Sequence, residues 1–330
     1  MPKISVIMPA YNAEKYIGAA IRSILGQSFG DFEFLILNDC SADRTEDVIR
    51  SFDDPRIVYL KNQQNLGVAA TLNRGLAVAG GEYIARMDAD DISHPERFRK
   101  QARYLDAHPE VAVLGSNLEC FNDDGVICTG WSVSEPRQMK VDMFFSCGLA
   151  HPGVMMRRDV IQALGGYDPE FNGLEDYELW CRVLEQHDIT TLPDILLRYR
   201  IHGGQVTRNP DHRHRERMRQ LKLRQVEQLG LAAGEAEAFF RFCEGGKPDT
   251  AQGVLALDAF FALAERGNDE KKIYDGGKLR AAFRGVILAS AAELPRAERK
   301  KLPEKCRYFR KNELFVRICK QKIKKMLGRN

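Results

Sequence analysis

Tyr83-Ile84-Ala85-Arg86-Met87-Asp88-Ala89-Asp90-Asp91 is an apolar run that ends in three carboxylates. Tyr83 to Met87 reads as a buried strand, and the acids stop it, because Asp disfavours strands. Upstream lie three runs of the same kind: Ile4 to Met8, ended by Pro9; Phe32 to Leu37, followed by Asn-Asp-Cys-Ser-Ala-Asp; and Ile57 to Leu60. Between them the apolar spacing turns helical. Glu14 to Leu25 carries Ile17, Ala20, Ile21, Ile24 and Leu25 on one face, and Val68 to Ala79 repeats the pattern. Strand–helix alternation of this kind specifies a parallel α/β sheet with helices on its faces. Ligands bind such sheets beyond the carboxyl ends of the strands. The loops after residues 8, 37 and 87 are therefore the ones expected to carry function.

Residues 116–205 are mixed, with short strands at Val154 to Arg157 and Leu196 to Arg200 and a helix from Asp176 to Gln186. Beyond residue 210 the pattern is helical: Arg213 to Leu229, Glu235 to Cys243, Gln252 to Glu265 and Lys278 to Leu294. A composition shift at Gly203 to Pro210 marks the boundary. The expected division is 1–205, an α/β domain; 206–295, a helical domain; and 296–330, a basic segment.

The 330 residues are 44% hydrophobic and 29% charged, which excludes a disordered or collagen-like chain. No run approaches the ~18 apolar residues of a membrane-spanning helix. Met1 to Pro9 is too short an apolar run for a signal peptide. The eight cysteines form no C-x-x-C pair and read as reduced, mostly buried thiols of a cytoplasmic protein. The net charge of +3 hides a split. Residues 296–330 hold 14 Lys/Arg against 3 Asp/Glu, while the rest of the chain holds 35 against 43. An acidic body with a basic tail suggests that the tail meets an anionic partner.

Three carboxylates close together repel one another unless a cation neutralises them. Oxygen donors with no nearby Cys suit Mg²⁺ or Mn²⁺, which bridges to substrate phosphates. Helix capping before Pro95 accounts for one acid but not for three. No G-x-x-x-x-G-K-[ST] is present, and no G-x-G-x-x-G follows the first strand, which argues against P-loop and Rossmann dinucleotide chemistry.

Pro9-Ala10-Tyr11-Asn12, Asn38-Asp39-Cys40-Ser41, Asn65-Leu66-Gly67, Asn73-Arg74-Gly75 and Gly81-Glu82-Tyr83-Ile84 lead in order into Asp88-Ala89-Asp90-Asp91. This set resembles the inverting glycosyltransferases of family 2, non-processive bacterial type, over residues 3–205. The resemblance implies the GT-A fold, a Rossmann-like nucleotide-binding mixed sheet flanked by helices, here with a C-terminal helical region. One departure is Asn38-Asp39-Cys40-Ser41 where the family often has Asp-Asp-Gly-Ser. By resemblance Pro9 and Tyr11 line the donor pocket, Asp39 recognises a uracil base, Asp88 holds the ribose and Asp90 the metal. From the residues alone, Asp39 reads equally as a helix cap and Tyr11 as a loop aromatic.

Leu174-Glu175-Asp176-Tyr177-Glu178-Leu179-Trp180-Cys181 opens the helix that follows Asn172-Gly173. Tyr177, Trp180, Cys181 and Leu184 share an apolar face. The acid pair sits in the first turn, where free N–H groups favour the ionised form, and simple charge stabilisation explains it equally well. The family comparison implies more: Glu175 and Asp176 face the acceptor, and Asp176 is the general base. It also implies that His202 approaches the metal or diphosphate and that His151 lies near the acceptor, although a lone His is ordinarily structural. Trp131 and Trp180 read as core, and His212 and His214 as a solvated helix face. The absence of Q-x-x-R-W after the acid pair points to transfer of one sugar per encounter.

The expected activity is metal-dependent transfer of a hexosyl or hexosaminyl group from a nucleotide sugar, a UDP-sugar, to a glycan or lipid-linked acceptor. A sugar-phosphate nucleotidyltransferase fits less well, since Pro9-Ala10-Tyr11-Asn12 is not the glycine-rich loop of that class. A non-enzymatic interaction module is opposed by the intact Asp88, Asp90 and Asp176. Nucleic-acid binding is not expected, because aromatics are not interleaved with the tail's charges. In the tail, Phe315, Ile318, Cys319, Ile323, Met326 and Leu327 fall on one helical face among lysines, a pattern that lies on anionic membrane surfaces. Packing of that stripe on the helical domain is the alternative.

Overall fold

The computed structural model describes residues 1–130, 134–205, 213–310, 313–314 and 317–318. Trp131, His212 and most of the expected amphipathic tail face (Phe315, Cys319, Ile323, Met326 and Leu327) lie outside the described residues.

The described residues form two compact units, one of residues 1–139 and 147–214 and one of residues 140–146 and 215–330. The first is built on a nine-stranded mixed sheet. Strands β1 (Ile4–Ala10), β2 (Phe32–Asn38), β3 (Ile57–Lys61) and β4 (Tyr83–Arg86) are parallel in the order β3-β2-β1-β4. Their order brings the carboxyl ends of β2, β1 and β4 side by side. Helices α1 (Ile17–Leu25), α2 (Thr45–Arg50) and α3 (Val68–Val78) connect them. The rest of the sheet comprises β5 (Ile92–Ser93), β6 (Val111–Asn122), β7 (Gly125–Thr129), β8 (Met155–Arg157) and β9 (Asp188–Arg200). Beyond β4 the order continues β8-β6-β9-β5, with β7 hairpinned onto β6. Helices α4 (Arg97–Ala107), α5 (Pro136–Phe145), α6 (Arg158–Ala163) and α7 (Glu175–Val183) fall among these strands in the chain.

Several features differ from the sequence reading for tertiary reasons. Helix α1 starts at Ile17 instead of Glu14. Upstream, Asn12 (φ +48°) lies off the helical path, and residues 41–45 tie down the N–H groups there: Asn12 N–H by Ser41 Oγ at 3.0 Å, Ala13 N–H by Thr45 Oγ1 at 2.7 Å and Glu14 N–H by Asp43 Oδ2 at 3.0 Å. Strand β9 starts at Asp188 instead of Leu196, although it contains Pro193 and Asp194. Its parallel register with β6 jumps from Ser116–Leu192 to Asn117–Ile195, so those two residues bulge out of the ladder. Asp91 caps no helix, because β5 intervenes and α4 has Glu96 at its N-cap without a side-chain cap bond. Pro9 is tolerated inside a central strand because β4 pairs with β1 only as far as Ile7–Arg86.

The second unit contains α8 (His214–Gln228), α9 (Glu237–Cys243), α10 (Ala251–Lys271), α11 (Gly276–Glu293) and α12 (Arg296–Lys301). Its core is aromatic. Phe144 stacks on Phe239 at 4.6 Å, Phe239 on Phe260 at 4.8 Å and Phe261 on Phe283 at 4.2 Å between ring centres. Val141 and Phe144 belong to this core, which is why residues 140–146 join the helical unit. Leu302, Cys306, Tyr308, Phe309 and Leu314 are buried there too, so the first part of the basic segment packs inward. Among the described residues, no helix is long and apolar enough to cross a membrane. Seven described cysteines are free thiols; only Cys120 and Cys306 are buried and Cys128 is exposed, fewer buried than the composition suggested.

Candidate functional site

The loops after β1 and β2 are zipped together. Asn12 Oδ1 accepts Ala42 N–H at 2.9 Å, and Asp39 N–H donates to the Ala10 carbonyl at 2.8 Å. Both turns pass through the left-handed region, at Asn12 (φ +48°) and Cys40 (φ +60°). Asn adopts that region readily; Cys does not. Cys40 thus stands at a position suited to glycine. Asn38, in the other departure from the family pattern, closes this turn by accepting Ser41 N–H at 2.9 Å and donates its amide to the Tyr59 hydroxyl at 3.0 Å. Cys40→Gly is expected to stabilise the protein by about 1 kcal/mol through relief of the left-handed strain. Thermal unfolding checks this, and a lower melting temperature would contradict it.

Asp39 is buried at the end of β2. Its carboxylate accepts Leu66 N–H at 2.9 Å, Gly67 N–H at 3.0 Å and the Asn62 amide at 2.6 Å. Gly67 (φ +81°) supplies the backbone turn that presents its N–H to the acid. Asp39 therefore shapes the Asn65-Leu66-Gly67 loop, with Tyr11 exposed on the loop after β1. Pro9 is half-buried, level with Leu37.

After β4, Asp88, Asp90 and Asp91 bring one carboxylate oxygen each to within 4.8 Å of the others. Asp88 pairs with the buried Arg86 guanidinium. Asp90 Oδ2 accepts from His202 Nε2 at 2.8 Å, and the Gly204 N–H, donating to Nδ1 at 3.2 Å, places the ring proton on Nε2. Asp91 is fully buried; its Oδ1 accepts Arg200 N–H at 2.7 Å and its Oδ2 has no hydrogen-bond partner. Burial, followed by the neighbouring carboxylates, raises Asp90 above its ordinary range and Asp91 well above it. These acids are crowded, desolvated and short of positive charge, and a buried oxygen is left unmatched. Oxygen donors in that state fit a hard divalent cation. His202 thus fixes the orientation of the Asp90 carboxylate.

The loop is held from behind by a stack of rings and cations. Arg200 lies over Tyr16 at 4.6 Å and over Phe121 at 4.4 Å, and its Nε donates to the Asp90 carbonyl at 2.9 Å. Tyr16 also packs on His202, ring centres 5.0 Å apart.

The acid pair opens α7. Glu175 is buried and its Oε2 accepts Gly173 N–H at 2.5 Å; burial, then Asp176, pushes its pKa up to about 7. Asp176 is half-buried, and its Oδ1 accepts Tyr177 N–H at 2.7 Å. Burial raises its pKa, opposed by the field of Arg86 and reinforced by Asp88. The acidic loop and the start of α7 thus act on one another electrostatically, with Arg86 as their shared cation. Glu178, also buried, is neutralised by Arg182 at 2.6 Å. Tyr177 and Trp180 are buried as expected, whereas Cys181 is only half-buried.

A raised carboxyl pKa makes the folded state bind a proton that the unfolded state has lost. Stability attributable to Glu175 is therefore full below its ordinary 4.5 and falls as pH rises towards about 7. Glu175→Gln is expected to flatten that slope, measured as melting temperature against pH; an unchanged slope would contradict the assignment.

His151 is buried; its Nε2 meets the Tyr167 hydroxyl at 2.9 Å and its ring stands edge-on to Trp180 at 5.8 Å. Burial, with Arg86 nearby, lowers its pKa well below the usual range, so it is neutral. It packs against α7 through Trp180. Sequence reasoning missed Arg86 and Arg97. Arg97 is fully buried and donates to the Arg86 carbonyl at 2.7 Å and the Val154 carbonyl at 3.0 Å, fixing the end of β4. For Arg86 the available signal was a charged residue inside an otherwise apolar strand.

Residues 5–165 match the family model described as glycosyl transferase family 2. An uncharacterised glycosyltransferase of Haemophilus influenzae is 31% identical over 233 residues, covering 67% of this chain and 72% of that one. Escherichia coli WfgD, named a UDP-Glc:alpha-D-GlcNAc-diphosphoundecaprenol beta-1,3-glucosyltransferase, is 29% identical over 208 residues, 62% of this chain and 80% of its own. S. aureus TarS 1–349, solved in complex with UDP-GlcNAc, superposes with a TM-score of 0.60 at 20% identity over 92% of this chain and 93% of that one, a likeness of fold. The acids at the carboxyl edge of a β3-β2-β1-β4 sheet, the ordered loop motifs and these relatives agree: the chain belongs to glycosyl transferase family 2 and is a glycosyltransferase of GT-A fold.

Proposed function

We propose that the protein transfers one sugar, with inversion, from a UDP-sugar to a hydroxyl of a glycan or lipid-linked acceptor, and that the reaction depends on a divalent cation. The observation that carries this reading is the arrangement of two acidic groups about one buried arginine: Asp88, Asp90 and Asp91 after β4, and Glu175 and Asp176 at the start of α7. In this reading Tyr11 and Asp39 hold the nucleotide, with Asp39 acting from the loop it shapes. Asp88 binds the ribose, and Asp90, oriented by His202, holds Mn²⁺ or Mg²⁺ together with Asp91. The cation, when bound, supplies positive charge to the departing nucleoside diphosphate.

Asp176 accepts the proton of the acceptor hydroxyl as that oxygen attacks the anomeric carbon. Glu175, titrating near 7, shares the acceptor side and keeps the pair from carrying two full charges. Arg86 pairs with Asp88, and its field favours the ionised form of Asp176. Base and leaving group on opposite faces of the sugar give a single displacement. The name of the E. coli relative supports a lipid-diphosphate-linked acceptor. Residues 1–205 would form the catalytic domain, 206–295 a helical domain, and the basic tail an attachment to the anionic inner face of the cell membrane. A screen of nucleotide sugars with and without Mn²⁺, with the product anomer read by NMR, tests the reading. Metal-dependent binding of a UDP-sugar and an inverted product are expected; metal-independent turnover or retention would overturn it. For the tail, glutamate at Lys320, Lys322, Lys324 and Lys325 is expected to abolish binding to phosphatidylglycerol vesicles, since each surface lysine contributes about 1 kcal/mol. Equal sedimentation of both proteins with vesicles would contradict that role.

A further inference from the structure

The β6–β7 hairpin sets two thiols against each other. Cys120 of β6 and Cys128 of β7 are partners in the antiparallel register. Gly130 N–H donates to the Leu118 carbonyl at 2.9 Å, two positions along the same register. Hydrogen-bonded pairs recur at every second position, so Cys120 and Cys128 form such a pair, with Cα atoms about 5.5 Å apart. A disulfide spans about 4.4–6.8 Å between Cα atoms. The side chains meet: burial and a hydrogen bond with Cys128 push the Cys120 thiol up to about 12. Cys128 is exposed and Cys120 buried, so one thiol is open to a reagent and the other lies behind it. Among the described residues no other two cysteines are strand partners.

We propose that Cys120 and Cys128 are a reversible thiol-redox site that closes to a cross-strand disulfide by exchange with a low-molecular-weight disulfide such as oxidised glutathione. The Cys128 thiolate attacks one glutathione sulfur, the glutathione disulfide bond breaks and one glutathione thiolate leaves. Cys120 then loses its proton to solvent and its sulfur attacks the Cys128 sulfur, expelling the second glutathione. Two protein thiols are oxidised, and one glutathione disulfide is reduced to two thiols. The second step is the slow one, because the attacking thiol is buried and reluctant to ionise. The bond pins β6 at its register shift between Cys120 and Phe121, next to the ring that carries Arg200 and, through Arg200 N–H, Asp91. This inference stands apart from the transferase reading and survives its failure.

The test treats the full-length protein with oxidised glutathione, quenches free thiols by alkylation and maps peptides by mass spectrometry. Cleavage at Asp123 and Asp124 places the two cysteines on separate peptides. The expected result is a glutathione adduct at Cys128 that gives way to a Cys120–Cys128 linked peptide, which dithiothreitol reverses. Cys120→Ser should stop at the adduct, and Cys128→Ser should leave Cys120 unmodified. A wild-type protein that accumulates the adduct without the link, fails to react at Cys128, or joins Cys120 to a different cysteine would overturn the proposal.

Discussion

Asp176→Asn is expected to lower kcat by about 10²–10⁴-fold, the usual contribution of a general base, while the donor KM stays within about threefold. The amide keeps the shape of the carboxylate and can still accept Tyr177 N–H through its oxygen, so the start of α7 is preserved. What it cannot do is take a proton. The pH profile should change with it. In the wild type the rate should rise with pH as the Glu175–Asp176 pair, lifted by burial, loses its protons. In Asp176→Asn the residual rate should lose that dependence on the pair. Steady-state kinetics across pH checks both. A variant with wild-type kcat would remove Asp176 from the chemistry, and a parallel rise in donor KM would assign it to binding instead.

Asp90→Asn is expected to weaken Mn²⁺ binding by more than the about 10–100-fold that follows from changing a ligand's hydrogen-bond partner. His202→Ala, which removes only the bond to Asp90 Oδ2, should fall within that smaller range. The ordering of the two variants separates a ligand from a residue that orients one. Asp90→Asn should also unfold no more readily than the wild type, because burial among like charges raises the acid's pKa and marks its ionised form as strained. Equal Mn²⁺ affinities in the two variants would contradict the roles given to both residues.

The parts of this site legible in the sequence are those written locally. The strand–acid junction at Met87 to Asp91 survives almost residue for residue, with β4 ending at Arg86. The α7 acid pair also stands where helical spacing placed it. The rest depends on partners far along the chain. Nothing near Glu14 announces that its N–H belongs to Asp43, nor near Asp91 that Arg200 will hold it. Asp39 looked like a cap or a ligand and is first a clamp on residues 62–67. Arg86 hid inside an apolar run because only the folded sheet shows that its charge faces acids from two segments. Cys120 and Cys128, with no motif spacing, became a pair only through strand register.

In the proposed reaction the carboxylates after β4 hold a divalent cation that in turn holds the nucleotide. Electron paramagnetic resonance of free Mn²⁺, titrated with the full-length protein in the presence of UDP, tests it most directly. The free-ion signal is expected to fall to saturation at one Mn²⁺ per wild-type chain, with UDP strengthening the loss, and to persist with Asp90→Asn. A signal that the wild-type protein leaves untouched, or that both proteins quench alike, would contradict the account.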